Sequence, residues 1–236
     1  MIKGIYTAAR SLDQRIKNLD VIANNLANLN TTGYKREIPF TEVINSMGDT
    51  VIKKVTSQQQ GELIQTSNPL DLGISGQGFF AVRSQDGTME LTRNGRFKIS
   101  EDGYLTDNDG ARVLGKNGPI SLEDTILDSG EVIKISKEGE VKINDKIIDS
   151  ILVVNVPQPN ELQHLGNSNF GLDGQEAIPL NENEYSVSQG YVEQANTNAI
   201  DEMEAMIQLN REYESAQKVI AALDNSLSQA NDIGKV

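Results

Sequence analysis

Apolar side chains recur every seventh residue at the start of the chain, at Ile5, Leu12, Leu19 and Leu26. A second row follows three positions on, at Ala8, Ile22 and Leu29, broken by Arg15, and Ala9, Ile16 and Ala23 widen the stripe. The period is that of a helix whose narrow apolar face needs a partner helix. About 27 residues at 1.5 Å each predict a rod of roughly 40 Å. Asn28-Leu29-Asn30-Thr31-Thr32-Gly33 is its stop signal. The matching pattern lies at the other end of the chain. Met206, Tyr213, Ile220 and Leu227 recur every seventh residue, with Leu209, Ala216, Leu223 and Ala230 three further on. Asn196-Thr197-Asn198 offers cap residues, and Asp201, Glu202 and Glu204 place negative charge in the first turns. This predicts a helix from Asn198 to Asn231, about 50 Å long. The two seams predict a coiled-coil pair.

Between them the pattern is extended. Glu37-Ile38-Pro39-Phe40 is extended before its proline. Residues 41–60 read as a linker with one strand, and Gly61 to Gln65 and Leu70 to Ile74 read as strands. From Gly76 to Val156 short strands alternate with turns at Asp86-Gly87, Asp102-Gly103, Asp109-Gly110, Glu138-Gly139 and Asn144-Asp145. The strands are Phe79 to Arg83, Glu90 to Arg93, Arg96 to Ile99, Tyr104 to Thr106, Val132 to Ile135, Glu140 to Ile143 and Ile147 to Val156. Asp-Gly and Asn-Asp pairs tolerate the positive φ that tight hairpins require. Residues 157–184 read as loop, and Tyr185 to Val187 and Gly190 to Val192 as closing strands. The expected fold is α+β: terminal helices forming a coiled-coil domain, with an inserted antiparallel all-β domain, sandwich- or barrel-like. The expected segments are 1–35, 36–75, 76–184 and 185–236, respectively helix, linker with short strands, β domain, and closing strands with helix.

Charge changes the picture in two ways. Thirty-four acids against 21 bases give −13, which argues against nucleic acid as a ligand. The ends differ in sign: residues 1–40 hold six bases and three acids (+3), and 196–236 three bases and seven acids (−4). Opposite signs favour pairing of the two ends over self-pairing of either, although single exposed pairs contribute under about 1 kcal/mol. The chain has no Cys, so no disulfide or thiolate site. Lys3, Arg10, Asp13 and Arg15 break every apolar run near the start, so no secretory leader is expected. No run of eighteen apolar residues predicts a membrane span.

Leu72-Gly73-Ile74-Ser75-Gly76-Gln77-Gly78-Phe79 is rich in glycine, but a strand follows where a phosphate loop has a helix. In Asp107-Asn108-Asp109-Gly110 an EF-hand register would put Leu105 first and Lys116 twelfth, and neither binds calcium. His164 is the only histidine and reads as a surface residue. The acid pairs Glu123-Asp124 and Glu182/Glu184 read as solvated loop residues rather than a glycosidase pair. Met203 and Met206 read as seam packing. No catalytic, cofactor or metal site is expected; the alternatives are a cell-wall-acting β-domain enzyme with coiled-coil ends and a binding module displayed on a coiled coil.

Four stretches carry a resemblance. Ala23-Asn24-Asn25-Leu26-Ala27-Asn28-Leu29-Asn30-Thr31-Thr32-Gly33-Tyr34-Lys35 resembles the N-terminal signature of bacterial flagellar axial proteins, the rod, hook and hook-associated subunits. Ser67 to Phe80 is similar to the start of the rod and hook β domain. Thr92 to Phe97, with Asp102 to Leu105, is similar to its next hairpin. Ser188 to Asn196 is similar to the opening of the family's C-terminal helix, continuing through Ile207, Arg211 and Tyr213-Glu214. The resemblance implies terminal helices in an inner layer around an export channel. It implies partners in copies of the chain, other rod and hook proteins and the type III export apparatus, and passage to the periplasmic basal body without a cleaved signal. It makes Asn24, Asn25, Asn28, Asn30, Thr31, Thr32, Gly33 and Tyr34 an elbow. One β domain favours a rod over a hook subunit. About thirty residues between Lys35 and Ser67 fit a proximal-rod type or a short paralogue better than the distal-rod type, which carries an insert there; a hook-like subunit is the alternative within the family.

Overall fold

The heptad rows at the two ends fold as α1 (Ile2–Ala27) and α2 (Ala199–Ile233). The computed structural model describes residues 2–43, 50–122, 133–144 and 146–233. Asn198 caps α2, its Oδ1 accepting the Ile200 N–H at 2.9 Å, and Asp201 and Glu202 occupy the first turn, where the helix dipole favours acids. The chain divides into two compact units.

The first unit comprises residues 1–27, 37–55 and 197–236. In it α1 packs along α2, with Arg15 and Glu212 ion-paired across them. The helix also lies on a two-stranded sheet of Glu37–Val43 and Thr50–Thr56. One strand is expected in this stretch; the structure has two. Val21, Ile22 and Asn25 form the buried face of α1, at the i, i+4 spacing that places side chains one above the other.

The second unit comprises residues 28–36 and 56–196. Its largest sheet runs in the order 163–166, 169–171, 89–92, 79–83, 112–115, 105–106 and 98–99, all neighbours antiparallel. The central strand Phe79–Arg83 explains the continuous apolar run Phe-Phe-Ala-Val. Phe80 and Val82 enter one core with Leu72, Phe97, Val113 and Val141, and Phe79 and Ala81 enter a second with Leu91, Val154 and Phe170. Alternation is there, but both faces are covered, as in a layered β core. Edge-to-face ring pairs, Phe80 on Phe97 and Phe79 on Phe170, pin the two layers. A three-stranded sheet, 133–135, 140–143 and 146–150, closes the first core. Strands Leu72–Gly76 and Tyr185–Gln189 pair, as do Leu63–Gln65 and Tyr191–Glu193.

Further stretches differ from the expectation, among them the short strands Gly118–Pro119 and Ile178–Pro179. Arg112–Gly115 is a strand not foreseen. Residues 163–171 form a hairpin inside the expected loop, turning on Asn167 and Ser168, both with positive φ. The single strand expected from Ile147 to Val156 splits at Ile151-Leu152, where Ile151 N–H donates to Gly139 O and Leu152 N–H to Leu114 O as the chain passes between sheets. Val132, Asp145, Glu123 and Asp124 lie outside the described residues.

Candidate functional site

The signature stretch at the end of α1 divides. Asn24, exposed, and Asn25, buried, lie in the helical unit. Asn25 grips the backbone of Glu37: its Nδ2 donates to Glu37 O at 2.8 Å and its Oδ1 accepts Glu37 N–H at 2.9 Å. The same Nδ2 reaches Glu202 Oε2 at 3.3 Å, and Lys54 pairs with the Glu37 carboxylate at 2.8 Å. One asparagine thus joins α1, the following strand and α2.

Asn28 to Tyr34 belong to the β unit. Thr31 N–H donates to Asn28 O at 3.0 Å and Thr31 Oγ1 to Asn28 Oδ1 at 3.1 Å, making a local turn; Asn30 is exposed. Thr32 O accepts Ser168 Oγ at 3.0 Å. Gly33, at φ +69°, donates its N–H to Glu193 O at 2.8 Å. A Cβ there would stand 2.3 Å from Asn94 N, so both the left-handed conformation and the close backbone approach demand glycine. The Tyr34 ring lies 5.9 Å from His164, which in turn stacks 4.3 Å from Phe170. His164, expected at the surface, is half-buried in this aromatic row.

Directly beneath lies a cluster that the residue patterns did not reveal. Lys35 Nζ donates to Glu193 Oε1 at 2.7 Å and to Gln59 O at 2.8 Å. Arg93 Nη1 donates to Glu193 Oε2 at 3.1 Å and Nη2 to Gly76 O at 2.8 Å. Gly61 N–H supplies a further donor to Glu193 Oε1 at 2.8 Å. All three charged side chains are buried. Burial pushes the Lys35 ammonium below its ordinary range; the Glu193 charge pulls the other way, and Arg93 adds to the depression. Burial likewise lowers the Arg93 guanidinium, opposed by Glu193. Asn196 completes the seam of polar contacts, donating from Nδ2 to Ser57 O and Gln59 O and accepting Arg36 N–H. The polar run 57–60 is tied down as well: the Gln60 side chain donates from Nε2 to Ile74 O at 3.0 Å and accepts Gly76 N–H on Oε1 at 3.1 Å. The arrangement binds the two far ends of the β unit's sequence into one wall.

The seam residues sit in the helical unit, with Leu29 in the β unit. Ile22 is buried; Leu12, Leu19, Leu26, Leu29, Met206, Leu209, Tyr213, Ala216, Ile220 and Leu223 are half-buried. The side chains of Ile5 and Leu227 lie outside the described ones. A hollow of about 250 Å³ remains among Arg15, Ile16, Leu19, Leu209, Asn210 and Tyr213.

The chemistry-bearing motifs have structural roles. Asp107 Oδ1 accepts the N–H groups of Asp109 and Ala111, forming the turn that ends at Gly110. Glu182 pairs with Lys116 and Glu184 with Asn181. Among the described residues no group of three or more His, Cys, Asp or Glu is placed to hold a metal ion, and no helix is long and apolar enough to cross a membrane.

Comparison with known proteins matches three segments of the chain to family models. Residues 5–35 fit the family model "Flagella basal body rod protein", 73–143 "Flagellar hook protein FlgE/F/G D1 domain" and 188–233 "Flagellar basal body rod FlgEFG protein C-terminal". The chain is 32% identical over 266 residues to the flagellar basal-body rod protein FlgG of Borreliella burgdorferi, covering 99% of each. It is 30% identical over 260 residues to FlgG of Agrobacterium fabrum, covering 96% of the chain and 97% of the relative. It is 30% identical over 241 residues to FlgF of Rhizobium meliloti, covering 98% and 97%. The matches define first a class, the structural proteins of the bacterial flagellum, whose context is motility. Within it, the chain belongs to the family of flagellar basal-body rod proteins.

Proposed function

We propose that this chain is a subunit of the flagellar rod that assembles helically through its terminal helices around an export channel and transmits torque across the periplasm. The observation that carries the reading is an apolar surplus on paired helices. Apart from the buried Ile22, the described seam residues of α1 and α2 are only half-covered, and Ile200, Met203 and Ile207, at i, i+3 and i+7, are 74%, 50% and 54% exposed on α2. A pair of helices with a stripe left over is completed by further helices, and the heptad period makes a coiled coil the economical packing. In this reading residues 1–35 give the N-terminal helix of the coiled-coil domain, 36–75 a linker with short strands, 76–184 the β domain, and 185–236 its closing strands followed by the C-terminal helix of the coiled-coil domain; the chain leaves the cytoplasm through the type III export apparatus without a cleaved signal. Its partners are copies of itself and other rod and hook proteins. Electron microscopy of polymer grown from purified subunit tests the proposal: the terminal helices should line a central channel. A polymer whose contacts lie only among β domains would overturn it.

A further inference from the structure

The β unit carries an exposed cationic shelf. Its register lines up one row across four neighbouring strands: Lys98 opposite Thr106, Thr106 opposite Arg112, and Arg112 opposite Arg83. Residues directly opposite in an antiparallel sheet share a face, and like charges there are destabilising. Arg83 and Arg112 are such a pair, so folding alone does not account for them. The row lines a cavity of about 730 Å³. Arg83, Lys98 and Arg112 are exposed, and Thr106 is the buried floor. Among the described residues the Arg83 guanidinium has no hydrogen-bond or ion-pair partner. Arg112 Cζ lies over the Tyr104 ring, 4.1 Å from its centroid, and reaches Asp102 only at 3.8 Å; Lys98 Nζ donates to Asn108 O at 3.1 Å. Three cations thus face two lining acids, Glu101 and Asp102, on a chain of net charge −13.

We propose that this row is a carboxylate-binding site, and that its occupant is an acidic side chain of a second copy of the chain. Guanidinium pairs bind carboxylates through parallel N–H donors. Copies of so acidic a chain repel one another over most of their surface, and a shelf of opposite sign fixes where and in which register they meet. The inference rests on the assembly reading above, adding to the helical seam a second contact on the β unit.

Lys98 makes the test direct. Subunit labelled with nitrogen-15 is mixed with unlabelled subunit, assembled, and treated with a carbodiimide, which joins an amine to a carboxylate in contact. Mass spectrometry should find mixed-isotope links from Lys98 to an Asp or Glu, decreasing as salt rises. The links should be lost in Arg83→Glu/Arg112→Glu, while circular dichroism and melting show the fold intact. Lys98→Arg, which keeps the charge, should assemble normally without the link. Mixed-isotope links confined to the terminal helices would overturn this proposal and leave the assembly reading standing. No mixed-isotope link anywhere would overturn both.

Discussion

Lys35 and Glu193, 158 positions apart, meet at 2.7 Å with 1% of either side chain exposed. Arg93 shares the same carboxylate, so one buried anion holds two buried cations. The desolvation of such a group is repaid only while every partner is present. The cluster is therefore a latch whose strength depends on its single acid.

Glu193→Gln should be the costliest single change in this wall. It leaves Lys35 and Arg93 buried without an anion, at roughly 3–5 kcal/mol, and for a chain of this size the melting temperature should fall on the order of 10 °C. Lys35→Met should cost less, because Glu193 keeps Arg93 and the Gly61 N–H. Thermal unfolding of both variants checks the order; equal loss would mean that the cluster is not organised around Glu193.

Gly33 and Gly87 form a matched pair of tests. Both have positive φ, +69° and +83°, but a Cβ at Gly33 meets the Asn94 backbone and one at Gly87 meets nothing within 4 Å. Gly87→Ala should therefore cost only the left-handed strain of about 1–2 kcal/mol. Gly33→Ala adds a clash that backbone must relieve, and should cost clearly more in denaturant unfolding. A result with Gly33→Ala the milder change would contradict the close approach.

The terminal helices were legible because the seventh-residue period survives even where the helices are half-exposed. The strands between Asp-Gly turns were legible because those turns need particular residues. The hairpin at 163–171 was hidden because two of its three positive-φ residues, Asn167 and Ser168 after Gly166, are not glycine. Arg112–Gly115 was hidden because its outward residue is one of the shelf cations and three buried residues follow without alternation. Glu193 left no signal: it follows Val192, both are buried, and the period-two rule would send one of the two outward. In the signature stretch the resemblance drew attention to the right residues, but their roles depend on partners 12 to 177 positions away for Asn25 and 158 for Lys35.

Tyr185 predicts an alkaline limit. Burial raises its phenol above the ordinary value of 10.0, with Lys116 opposing and Glu182 and Glu138 reinforcing. The folded chain therefore keeps the proton where the unfolded chain loses it. Protons bound in excess by the native state make stability fall as pH rises, so this contribution is complete below pH 10.0 and is lost above it. The Tyr185 hydroxyl also donates to Glu138 O at 3.1 Å, a bond available only to the neutral phenol. Melting curves from pH 9 to 11 should show a steeper decline for the wild type than for Tyr185→Phe; parallel curves would show that this phenol does not titrate with unfolding.

Leu19→Asp and Leu223→Asp separate folding from assembly. Both residues are half-buried on the helix faces in a single chain, so the isolated subunit should tolerate the change, with the β unit melting as in the wild type. In the assembly proposed above each position is to be enclosed by further helices, where an unpaired charge costs several kcal/mol per subunit. Sedimentation should accordingly show monomer in place of polymer, at concentrations where the wild type assembles. Amide exchange gives the complementary view. In the monomer, residues 5–29 and 200–230 should exchange rapidly, because half-exposed helices open at low free energy, and assembly should protect them. Polymers of normal length from either aspartate variant, or strong protection of both helices in the monomer, would place the source of assembly elsewhere than the seam.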